Sequence, residues 1–366
     1  MSNASDQQIS QPNGHNHYTF ISYLRLIACS IIVYTHLVAM RFPELRPVII
    51  IRAAINTPLH IIQDFGAFGV CLFYIISGFL VALSAGKQTW LKFLLNKIIR
   101  VYFGAILAAT LFYVVQKIIE IMLGTPTFWG QRTAKDWIMG GTLIGYLSGY
   151  GDQINGTTWF LIPYLFFIII FTLSYKILKT NPIPAILILE LSVLLFTTAY
   201  IYIPAIKIAV GFFAFVPMCI SGVLIYCWQS KLIKNTPFGL FMVANYLIMI
   251  FAFYRMRAHY YTDQPYLVSY IISLGLFMTA SLANDRLLPG LRVKTCLWFC
   301  DKYSFAIYLS HMQIGGLVMS LITAYMPTTL VVVLGMLCVL GYSMFFHQFI
   351  EIPLTKGSKL LMKFVR

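Results

Sequence analysis

Ten apolar runs, each about twenty residues long, divide this chain, and nothing else in it restricts the accessible folds so strongly. A helix rising 1.5 Å per residue needs about 20 residues to cross roughly 30 Å of hydrocarbon. Cutting wherever charges, Pro, Gly or Asn gather places these runs at about 20–40, 66–85, 98–122, 158–178, 183–203, 206–228, 237–256, 266–283, 304–325 and 328–350. The least marked cut is at Pro204. Of the 366 residues 60% are hydrophobic and 10% charged, where a soluble domain carries about 25% charged, so the chain cannot cover itself with polar surface. The fold class expected is all-α, a polytopic membrane protein with about ten transmembrane helices.

The segments between the runs set domains and orientation. Residues 1–17 are polar and lack the basic, apolar and small-residue order of a cleaved signal, so they read as a disordered tail before a retained first helix. Residues 18–355 form the membrane domain, and 356–366 read as a basic cytoplasmic tail. Residues 41–65 mix Arg41, Glu44, Arg46, Arg52 and Asp64 with apolar positions, which suits an interfacial segment. Residues 123–157, with Trp129, Trp137 and the polar stretch from Gly149 to Gln153, suit a structured external loop. Sixteen Lys and Arg fall on one side of the alternating runs and nine on the other, which puts both termini in the cytoplasm of an inner (plasma) membrane.

The formal charge of +15 does not signal nucleic acid, because the cations flank apolar runs and no soluble aromatic-basic patch exists to hold a strand. Topology and anionic headgroups of the lipid bilayer account for it. The seven cysteines are scattered and odd in number. Cys296 and Cys300 are four apart with no CxxC and no matching His pair, so neither a metal site nor a bound cofactor is expected.

Ionisable groups within a span cost roughly 2.5–3.5 kcal/mol each on insertion scales and mark candidate sites. The first run holds Arg25 and His36, eleven residues apart. That spacing is three turns plus about 20°, so both leave one face, separated by roughly 16 Å along the axis. Snorkelling of Arg25 and a helix-to-helix bond of His36 are the plain alternatives. In the second run Gly69-Val-Cys-Leu-Phe-Tyr-Ile-Ile-Ser77-Gly-Phe79 suits close helix packing. Lys97 and Arg100 share a helix face and could clamp phosphate, although topology alone also places cations there. Trp159 opens the fourth run as an interfacial anchor. Asp301-Lys-Tyr303-Ser304-Phe-Ala-Ile-Tyr308-Leu-Ser-His311 enters the ninth, with Tyr308 and His311 on one face. His347 and Glu351 form an i,i+4 pair just before Pro353.

In this order the motifs are Arg-x10-His, G-V-x-L-F-Y-x-x-S-G-F, a basic pair, W-F-L, Y-S-x-x-I-Y-L-x-H and Glu-x-Pro, and the series resembles the acyltransferase-3 family of integral-membrane acyltransferases over about residues 18–355. The resemblance implies a ten-helix domain that moves an acyl group, commonly acetyl from acetyl-CoA, onto a hydroxyl of an envelope glycan or lipid-linked sugar, alongside polysaccharide-synthesis machinery. It makes the enzyme an O-acetyltransferase, with His36 and Arg25 at the family's characteristic positions and Lys97 and Arg100 at its basic pair. Lys97 stands where Arg is more usual, Cys71 where Asp is frequent and Tyr74 where Phe is frequent. No hydrolase-like domain follows the membrane unit, as it does in some relatives.

On this reading Arg25, Lys97 and Arg100 bind CoA phosphates by charge-assisted bonds, and His36 acts as general base on the attacking hydroxyl or itself carries the acyl group. Tyr308 and His311 line the donor path or position the base, with Ser77, Trp159, Tyr303, Ser304 and Glu351 in support. The rival class is transport of a lipid-linked sugar or small solute, with Arg25, His36 and Glu190 along the pathway. A purely structural membrane role would leave these groups open to neutral substitution.

Overall fold

The structure, a computed structural model, describes residues 18–61, 63–124, 132–150, 154, 156–199, 202–203, 207–255, 263–284 and 291–365. The tail expected at 1–17, Trp129, Gly151–Gln153 and the cut at Pro204 lie outside the described residues. The protein is an all-α membrane protein without strands among the described residues.

Eight helical spans among the described residues are long and apolar enough to cross a membrane, and two shorter apolar helices occupy the remaining two runs of the sequence. The elements are α1 (Thr19–Ala39), α2 (Arg46–Ile51), α3 (Gln63–Ser84), α4 (Trp90–Leu123), α5 (Ala134–Gly141), α6 (Ile144–Ser148), α7 (Thr158–Ser174), α8 (Pro182–Ala199), α9 (Lys207–Phe213), α10 (Val216–Gln229), α11 (Asn235–Arg255), α12 (Asp263–Leu282), α13 (Leu291–Ser310), α14 (Gly316–Ile322), α15 (Thr328–Phe346) and α16 (Ile352–Phe364).

Several boundaries depart from the sequence reading. The third run begins earlier, at Trp90, because Thr89 caps the helix by accepting a bond from Lys92 N at 3.4 Å. It ends where Gly124 turns left-handed at φ +67°. The sixth run is broken between Phe213 and Val216. The ninth starts about a dozen residues early, so Asp301 and Lys302 sit inside α13 rather than at its mouth. The tenth continues to Phe364 because Pro353 falls in the first turn of α16, where a missing N–H costs nothing. The basic tail expected from 356 onward is therefore helical up to Phe364.

α3 is the central helix, enclosed by α1, α10 and α12. It meets α10 backbone to backbone. A methyl group on Gly78 would lie 1.8 Å from the Cys219 carbonyl oxygen, and one on Gly222 would lie 2.0 Å from that of Ile75. The small residues of the Gly69–Phe79 stretch thus serve packing. Edge-to-face rings of Tyr18, Phe20, Phe79 and Phe277 seal one end of this core.

The interfacial segment after α1 is pinned by one ion pair. Arg52 donates from Nε and Nη2 to the two Asp64 carboxylate oxygens, each at 2.6 Å, and also reaches the Ala39 carbonyl at 3.1 Å. Thr35 Oγ1 donates to the Asp64 carbonyl at 2.8 Å. These bonds hold Gln63, Asp64 and Phe65 at positive φ, a conformation side chains resist. On the same side, Thr133 and Asp136 form a capping box that starts α5, and Tyr150 closes back on Asp136 at 2.6 Å.

Four segments that carry polar side chains leave the regular α repeat. Thr35–Ala39, Ile98–Phe103, His311–Gly315 and His347–Glu351 are widened i→i+5 turns, as in the 2.9 Å bond from Met40 N to the Thr35 carbonyl. Such turns recur at functional sites because the extra residue re-aims neighbouring side chains.

Candidate active site

His36 and His311 lie in two of these turns and face each other across the α1 and α13 interface. The Nδ1 of His36 and Nε2 of His311 are 2.9 Å apart. His311 is fully buried, and its Nδ1 approaches the Ile307 and Tyr308 carbonyls at 3.1 and 2.9 Å. Carbonyls only accept, so His311 Nδ1 carries a hydrogen and the Nε2 of the neutral ring is an acceptor. His36 must then donate from Nδ1, which leaves His36 Nε2 as the unprotonated nitrogen. Two backbone carbonyls thus fix the tautomer of both rings.

Arg25 leaves α1 on the cytoplasmic side by the charge count above. It meets Asp301 of α13 at 3.2 Å, and Ser22 Oγ donates to the other Asp301 oxygen at 2.5 Å. Both partners of the ion pair are 27% exposed, so the pair is partly solvated and orients rather than neutralises Arg25.

The ion pair stands in the wall of a cavity of about 630 Å³. Arg25, Lys97, Arg100, Lys302, Lys356 and Lys359 all line it, against two carboxylates, Asp301 and Glu351. His347 and Glu351 lie in the wall as a pair at 2.5 Å, with Tyr303 stacked edge-on against the His347 ring. Ser77 and Ser304 are also in the lining. Six cations in one concavity create a strong field for a polyanion. On the side toward the histidines the cavity is bounded by Phe73, Phe160 and Tyr308.

The structure therefore brings Arg25, Lys97, Arg100, Tyr308, Ser77, Ser304 and Glu351 to one cavity, and joins His36 to His311 behind it. Neither histidine is in the cavity wall. Trp159 is not in the wall either, and packs on Phe215 at 5.2 Å. Tyr303 lies behind the wall, against Phe299 and His347. Glu190 is buried in α8 away from the cavity, its Oε1 without a hydrogen-bond partner. Cys71 is buried with its Sγ 4.0 Å from the Tyr266 carbonyl, and Tyr74 donates to the Phe160 carbonyl at 2.9 Å.

Sequence reasoning missed Asp301, Lys302, Lys356 and Lys359. Asp301 opens the quoted motif of the ninth run, so its signal was present, but its partner Arg25 is 276 residues away. The two lysines of α16 looked like tail charges.

The family model described as "Acyltransferase domain" matches residues 18–347. No curated protein and no solved structure matches the chain. The match covers both histidines, the Arg25–Asp301 pair and the basic pair of α4, and with the helical fold it establishes that this multi-pass membrane protein belongs to the acyltransferase-3 family of acyltransferases.

Proposed function

We propose that the protein transfers an acyl group, acetyl by family preference, from acyl-CoA to a hydroxyl of an envelope glycan or lipid-linked sugar at the cell's inner membrane. The observation that carries this reading is the juxtaposition of a six-cation cavity with a histidine whose Nε2 is left free by a fixed tautomer. The phosphates of CoA match the cations, and charge-assisted bonds from Arg25, Arg100 and Lys97 hold them on the cytoplasmic side. Both chain termini lie on that side, by the distribution of Lys and Arg.

In the transfer step the acceptor oxygen bonds to the thioester carbon while its proton passes to His36 Nε2. The carbon–sulfur bond breaks, and the departing CoA sulfur takes up the proton. His311 holds the His36 ring through the Nδ1 bond, and stabilises the cation that forms for an instant at His36. General-base catalysis of this kind contributes roughly 10²–10⁴-fold.

The test pairs transfer with binding. In vesicles that carry the native acceptor, His36→Ala should lose transfer of radiolabelled acetyl while CoA still binds, and Arg100→Ala should weaken CoA binding. Unchanged transfer by correctly inserted His36→Ala would remove the base, and wild-type protein that does not bind CoA would remove the donor. Transport by way of Glu190 has no support in the site, because Glu190 does not line the cavity.

A further inference from the structure

The phosphate-binding cavity and the histidine pair are separated by three aromatic rings. Phe73, Phe160 and Tyr308 all line the cavity. Their centroids are 6.2 Å apart for Phe73 and Phe160, 6.3 Å for Phe73 and Tyr308, and 5.0 Å for Phe160 and Tyr308. The triangle they form touches the histidines on its far side, where the Tyr308 ring lies 6.0 Å from the His311 ring.

Each ring is held from behind. The Tyr308 hydroxyl donates to the Thr157 carbonyl in the external segment before α7. Phe160 stacks on Tyr74 at 4.5 Å, and its own carbonyl takes the Tyr74 hydroxyl. Tyr74 is fully buried in α3 and Phe73 adjoins it in sequence. A layer backed in this way cannot swing aside without breaking buried hydrogen bonds.

We infer that the Phe73–Phe160–Tyr308 layer selects the acyl group, passing a two-carbon acyl and rejecting longer or charged ones. The inference rests on the donor reading above. A thioester anchored by its phosphates in the cation-lined cavity must present its carbonyl through this layer to meet His36. Edge-to-face rings at these separations leave room for little beyond a methyl, and the rings offer no partner for the second carboxylate of a dicarboxylic acyl group. One extra methylene in a tight apolar pocket costs about 10–200-fold in specificity.

The experiment compares radiolabelled acetyl-, butyryl- and succinyl-CoA as donors to the native acceptor in membrane vesicles, for the wild type, Phe160→Ala and the milder Phe160→Leu. Both substitutions keep the Phe160 carbonyl that Tyr74 uses. The wild type should favour acetyl over butyryl by at least about tenfold. Phe160→Ala should bring that ratio close to one and Phe160→Leu should fall between, so that the Leu variant decides the matter if the Ala variant does not insert. A wild type that transfers butyryl or succinyl as fast as acetyl, or variants that keep the wild-type ratio, would overturn the selector while leaving the transferase intact. A wild type that neither binds CoA nor transfers any of the three would overturn the donor reading, and the selector with it.

Discussion

The imidazoles of His36 and His311, 275 residues apart in sequence, share one hydrogen bond at 2.9 Å, with the donor on His36. The direction of that bond is dictated by the Ile307 and Tyr308 carbonyls, not by either ring. Replacing His311 therefore acts on the chemistry through His36. His311→Leu leaves His36 Nδ1 without its acceptor, and turnover should fall about 10²-fold or more with little change in the KM for acyl-CoA. His311→Gln, whose amide oxygen can accept the same bond, should recover part of that loss. Initial rates over a range of acyl-CoA concentrations make the distinction, and a change confined to KM would contradict it.

Arg25 is aimed by Asp301, and Asp301 is in turn held by Ser22. Asp301→Asn keeps the shape but removes the charge that orients the guanidinium. The KM for donor should rise several-fold at unchanged protein level, and Ser22→Ala should produce a smaller change of the same sign. Isothermal titration with CoA reads both; equal affinities for all three proteins would show that the pair does not bear on the donor.

The crossing of α3 and α10 tolerates no side chain at its closest point. Gly78→Ala or Gly222→Ala would push a methyl into backbone that cannot yield, at a cost of about 3 kcal/mol. Thermal unfolding in detergent should show a clear drop for either, whereas Gly239→Ala, where nothing lies within 4 Å, should be neutral or slightly stabilising.

Asp136 lies outside the spans and links their external loop to pH. Burial alone would raise its pKa, but the bonds from Tyr150 and from the Thr133 backbone and hydroxyl, with the charge of Arg132, hold it below the ordinary carboxylate value. Its folded-state pKa is therefore the lower one, so its stabilising effect is complete above the ordinary value and is lost as pH falls through the depressed one. Hydrogen exchange of residues 133–148 should accelerate on acidification in the wild type. In Asp136→Asn it should already be fast at neutral pH and should vary little with acid.

Glu190 keeps a buried carboxyl oxygen without a hydrogen-bond partner in α8. Glu190→Leu should leave transfer unchanged and leave stability equal or higher, since it removes a desolvated polar group. Lost transfer in this variant, with normal insertion, would return Glu190 to the function.

The helices were legible because twenty-residue apolar runs have few other folds open to them, and Arg25 and His36 stood out because polar groups in such runs are costly. What the sequence could not convey was pairing. Eleven residues of helix put Arg25 and His36 on one face, yet the cavity reaches only Arg25, because Phe73, Phe160 and Tyr308 come between. No local pattern brings Asp301 to Arg25 or His311 to His36. The widened turns carry no periodic signature either, and Glu-x-Pro read as a terminus although Pro353 begins another helix.

A widened turn holds one residue beyond what the regular repeat requires, so each acts as a built-in insertion. Removing a single codon from Gln348 to Ile350 would close the turn at His347–Glu351 and rotate everything after it by about 100°. Lys356 and Lys359 would then swing out of the cavity wall with no change in their identity. Reading frame within a helix, rather than residue type, is what keeps those two ammonium groups pointed at their anion.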